Sequence, residues 1–139
     1  MRRPLLLLLL PLFLAALAGC GGSGDEGEVR KSVEGLYVGF AERDSSKVCA
    51  SLTKAQQEKV RRGAARKGQR PQSCEQVMGF ALAFVGDALK DAGKAEVTKV
   101  EVKGENATAS VKFKGKTGKL GLAKEADAWK VSDFDLNRL

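Results

Sequence analysis

The side chains in this 139-residue chain that could do chemistry are few: three cysteines, one tyrosine, some isolated aspartates and a dense run of lysine and arginine. No histidine is present, which removes imidazole bases, histidine-built triads and histidine-liganded metal sites together. The two cysteines beyond Cys20 cannot complete a structural zinc site without histidine, so neither a metal nor another cofactor is expected. The glycines from Gly115 to Gly121 read as a turn between strands and lack the helix that a phosphate-binding loop requires.

Arg2 and Arg3 precede an apolar stretch from Leu5 to Ala18, and Leu17-Ala18-Gly19-Cys20 closes it. A helix of about 14 residues spans roughly 21 Å, short of the roughly 30 Å hydrocarbon core, so the stretch reads as a signal peptide. Small residues leading to a cysteine resemble the lipobox of bacterial lipoproteins. That resemblance implies removal of residues 1–19, palmitate-type acylation of Cys20, and an extracytoplasmic domain anchored by lipid to the bacterial cell membrane. Leu17 points the same way, because an ordinary signal peptidase prefers a small residue there. Residues 20–27, rich in glycine, read as the lipidated cysteine and a flexible tether. Residues 28–139 then form one domain large enough for a single core. In an oxidising compartment the remaining pair, Cys49 and Cys74, is expected to form a disulfide closing a loop of about 26 residues.

The positive charge is local. The chain carries 24 Lys+Arg against 17 Asp+Glu, and without Arg2 and Arg3 the balance is 22 to 17. Lys54, Lys59, Arg61, Arg62, Arg66, Lys67 and Arg70 face Glu58 alone, so this segment exceeds the net charge of the whole mature chain. Lys59, Arg61, Arg62, Arg66, Lys67 and Arg70 are the candidate contacts for anionic phospholipid or acidic envelope polymer. No aromatics interleave these charges, and nucleic acid is not expected as a partner.

Apolar spacing at Val29, Val33, Leu36, Tyr37 and Phe40 predicts a helix over 28–43. Asp44-Ser45-Ser46 breaks it and caps a short helical piece with Val48, Cys49 and Leu52. Thr53 with Gln56, and Ser73 with Gln76, are capping-box patterns opening two further helices, ending near Gly63 and Asp91. The second has an uncharged centre from Val77 to Gly86 whose larger apolar residues spread around roughly 200° of the wheel. It is expected to be buried on two sides, to line a cavity, or to present a homodimer or partner interface. After Gly93 the apolar period falls to two, predicting four strands joined by tight turns, with phase slips at Val97–Val100 and Val131–Phe134 that suggest bulges.

Helices followed by hairpins describe an α+β domain: helices on one face of a curved antiparallel sheet of about four strands. This order, with Cys49, Cys74 and the closing Trp129-Lys130-Val131, resembles the nuclear-transport-factor-2-like superfamily, the cone fold of ketosteroid isomerase. The resemblance implies a space between helix and sheet, lined here by Tyr37, Phe40, Phe80, Phe84 and Trp129, that would hold a small apolar ligand. It also implies a rival reading, an isomerase- or dehydratase-type enzyme drawing on Tyr37, Asp87, Asp133 or Asp135, although no motif puts these acids in a cavity. Non-catalytic binding of a ligand, an envelope component or another exported protein is the expectation, with electrostatic docking through 54–70 as the other alternative.

Overall fold

The computed structural model describes residues 22–68, 70 and 73–134. Cys20 and the signal segment, together with Asp135 and Leu136, lie outside them. Four helices, α1 (Gly22–Glu42), α2 (Ser45–Ala50), α3 (Lys54–Arg66) and α4 (Cys74–Val85), precede four strands, β1 (Glu96–Lys103), β2 (Asn106–Phe113), β3 (Lys116–Glu125) and β4 (Ala128–Asp133). The strands form an antiparallel open sheet in the order β1-β2-β3-β4, with the helices packed against one face. The α+β architecture expected from the sequence is the one observed.

Helix α1 buries Val29, Val33, Leu36, Tyr37 and Phe40, the stripe read from the periodicity. Its start differs. It begins at Gly22 and not Glu28, so the segment 22–27 expected as an unstructured tether is helical. The reason is tertiary. The Asp25 carboxylate accepts hydrogen bonds from the Trp129 indole and the Lys124 ammonium, both at 3.1 Å, which overrides a glycine-rich composition. At the other end Arg43 takes a left-handed conformation (φ 56°), with Arg43 N–H donating to the Phe40 carbonyl and Asp44 N–H to that of Gly39. This paired pattern closes the helix and turns the chain into α2, whose first N–H groups donate to the Asp44 carboxylate.

Thr53 caps α3 by accepting from Gln56 N–H at 3.2 Å. The reciprocal half of the capping box is absent, because the Gln56 amide donates to the Phe134 carbonyl at 2.6 Å and ties α3 to the end of β4. The helix runs through Gly63 to Arg66, since burial of Ala64 holds its last turn. α4 ends sooner than the sequence suggests: α-helical winding gives way at Gly86 to a 3-10 turn, Gly86–Leu89, and a second follows at Ala92–Lys94. Cys49 and Cys74 are bonded, Cα–Cα 6.0 Å, joining α2 to the start of α4.

Both phase slips are bulges. Thr98 is the extra residue between Val97 and Lys99 on β1, and Ser132 between Val131 and Asp133 on β4. Each lets two apolar residues three apart turn toward the helices, as with Val131 and Phe134, both buried. The outer edge of β4 is covered by the α2–α3 connection: Thr53 N–H donates to the Val131 carbonyl (2.9 Å) and Val131 N–H to that of Ser51 (2.8 Å).

Candidate functional site

The five aromatics expected to line one space are divided. Tyr37, Phe40 and Trp129 are buried, whereas Phe80 and Phe84 are 53% and 75% exposed. Tyr37 meets Phe40 edge-on at 6.1 Å, Phe40 stacks on Phe134 at 5.3 Å, and Phe113 lies 6.2 Å from Tyr37. These rings fill the space between α1 and the sheet, and burial pushes the Tyr37 phenol above its ordinary pKa. On α4 the inward positions belong to Cys74, Met78 and Leu82. Phe80 and Phe84 are one turn apart on the opposite side and pack on each other at 4.6 Å.

Trp129 does line a space, but one at the surface, which its small exposed edge borders. A groove of about 570 Å³ opens where α1, α2 and β4 meet, lined by Lys31, Ser32, Gly35 and Val38 of α1, by Lys47, Ala50 and Ser51, and by Trp129 and Lys130. Glycines on α1 shape it. A Cβ at Gly39 would stand 3.0 Å from Val48 Cγ2 and 3.1 Å from Val48 N, so only glycine lets α2 approach this closely. One turn earlier, a Cβ at Gly35 would meet only Ser51 Oγ, at 4.0 Å, leaving the floor unfilled. Ser32 Oγ donates to the Trp129 carbonyl (2.7 Å), Ser51 Oγ to that of Lys47 (2.9 Å) and Lys130 Nζ to that of Ala50 (2.6 Å). These bonds hold the walls in place. Lys47 pairs with Glu42, which keeps its ammonium above the ordinary lysine pKa. Lys31 is unpaired among the described residues.

No family model, curated protein or solved structure matches this chain. Its function is therefore argued from its own geometry.

The candidate acids do not converge. Asp87 pairs with Arg43 at 3.1 Å on the surface, Asp133 is exposed at the end of β4, Tyr37 is in the core, and Asp135 lies outside the described residues. The basic segment is partly self-neutralised. Arg61 forms a two-point contact with Glu58 (2.8 and 2.6 Å), holding that carboxyl below its ordinary range, and Arg62 stands 3.7 Å from the same group. Lys59, Arg62 and Arg66 surround a hollow of about 430 Å³ at Gly63. Lys67 and Arg70 are exposed.

Sequence reasoning missed the groove lysines Lys31, Lys47 and Lys130, each of which alone resembles an ordinary surface lysine. The available signal was Gly35 with Gly39, two glycines one turn apart inside a helix, which mark a close approach of another element.

Proposed function

We propose that the chain is an exported lipoprotein, anchored through Cys20, whose domain binds a small ligand without transforming it in the groove beside Trp129. The observation carrying this reading is the groove. Two successive helices and a strand some eighty residues later leave about 570 Å³ unfilled there, with glycine where α1 would otherwise project a side chain. None of the described residues lining it is a carboxylate or a phenol, so among them the groove offers contacts for binding and no group suited to proton transfer near neutral pH. A cone of the nuclear-transport-factor-2 kind accords with the order of elements. The buried Cys49–Cys74 disulfide supports an oxidising compartment. Helix α1 starts two residues after Cys20, and Lys31 follows nine residues later, about 14 Å along the helix, so lipidation would keep the groove close to the bilayer.

Native mass spectrometry of the mature protein from an exporting host tests the binding. A small molecule that leaves on denaturation supports it, and its absence from wild type, with no ligand found on screening, removes it. Labelling with radioactive palmitate tests the anchor: label should be lost in Cys20→Ser, and label retained in that variant rules Cys20 out.

The hollow framed by Lys59, Arg62 and Arg66 favours a second reading, electrostatic docking on anionic headgroups. It predicts salt-sensitive attachment to anionic vesicles that weakens in Arg62→Gln and Arg66→Gln.

A further inference from the structure

The polar groups of the groove specify more than a ligand. Three lysines, Lys31, Lys47 and Lys130, line it, and Lys47 is offset by Glu42, leaving a balance of two positive charges. Among the described residues no acidic side chain lines it. Its apolar and small lining is Gly35, Val38, Ala50 and the small exposed edge of Trp129. Such a site complements a dianion attached to an apolar body. Lysine ammoniums act as point charges, without the planar fork by which arginine grips a carboxylate, and so suit a tetrahedral anion approached from several sides. The Ser32 and Ser51 hydroxyls donate to backbone carbonyls and keep their lone pairs, so the P–OH of a singly protonated phosphate would also find an acceptor.

We infer that the groove is a binding site for an organic phosphate monoester, its phosphate between Lys31 and Lys130 and its apolar portion along Gly35, Val38, Ala50 and Trp129. The inference rests on the binding reading above and names the ligand class. It does not depend on the lipid anchor. The phosphate has two sources, a soluble alkyl ester or the headgroup of a membrane lipid.

Trp129 is the only tryptophan in the chain, so its fluorescence reads the groove directly. The mature protein in uncharged detergent is titrated with n-butyl phosphate, with inorganic phosphate, with butyrate, and separately with micelles doped with phosphatidic acid. The expected result is a saturable change with n-butyl phosphate, weaker with the two fragments. Lys31→Gln and Lys130→Gln should each weaken it about tenfold or more, in line with loss of one charge-assisted hydrogen bond. Gly35→Leu should abolish it while the protein stays folded, since space is open at that Cβ. A response to phosphatidic acid alone, with the same losses, also supports the inference and assigns the phosphate to lipid. A response that survives Gly35→Leu, or equals that of inorganic phosphate, overturns it. If native mass spectrometry finds a molecule that Gly35→Leu expels while every phosphate probe is silent, binding stands and the phosphate class falls.

Discussion

The indole N–H of Trp129 donates to the carboxylate of Asp25, a residue 104 positions earlier, at 3.1 Å. Lys124 donates to the same oxygen and places its ammonium 5.5 Å from the Trp129 ring. The first turn of α1 is thereby fastened to the β3–β4 hairpin.

That fastening is pH-dependent. The bond from Lys124, then that from Trp129, hold the Asp25 carboxyl below its ordinary range. A carboxyl with a depressed folded pKa contributes stability that is present above its unfolded pKa and disappears as pH falls through the folded value. Asp25→Asn should therefore lower stability at pH 7 and lose less than wild type between about pH 5 and 2. Denaturant midpoints across that range, read by Trp129 emission, check it, and parallel curves for the two proteins would refute it.

The two glycines facing α2 should respond oppositely to one methyl group. Gly35→Ala gains helix propensity without a clash and should stabilise by up to about 1 kcal/mol. Gly39→Ala drives its Cβ against the Val48 backbone nitrogen and should cost about 1–3 kcal/mol despite the same gain. Thermal melting of the two variants beside wild type decides the matter.

Reducing the Cys49–Cys74 bond, which spans 25 residues, should cost about 3–4 kcal/mol through the freedom returned to the unfolded chain. Urea midpoints with and without reductant measure it. A double Cys→Ala variant should lose at least as much, because Cys49 is fully buried.

Phenylalanines expected to share one pocket should behave unlike each other. Phe40→Ala empties a fully buried site stacked on Phe134 and should cost about 3–5 kcal/mol. Phe84→Ser removes a ring that is three-quarters exposed and should change stability by about 0.5 kcal/mol or less. Equal losses in chemical denaturation would contradict the arrangement of α4.

Much of the fold was legible because its signals are local. The α1 stripe, the Thr53 cap and both bulges rest on residues within a few positions of each other, where side-chain period and capping chemistry operate. Residues 22–27 were misread for the opposite reason: the groups that make them helical, Lys124 and Trp129, lie about a hundred positions away. The helical wheel of α4 shows how wide its apolar surface is but not which sides have neighbours, so it leaves open whether Phe80 and Phe84 face the interior, which Met78 and Leu82 occupy. The groove was illegible because its lysines come from α1, α2 and β4, and only folding brings them together.

The disulfide encloses exposed sites for a protease that cuts after basic residues. Arg66 and Lys67 are both exposed between the two bonded cysteines. A protease cutting there would leave two fragments, each carrying one end of the same covalent bond. A nicked molecule would thus keep its N-terminal helices joined to its sheet, and separate only once both cut and reduced.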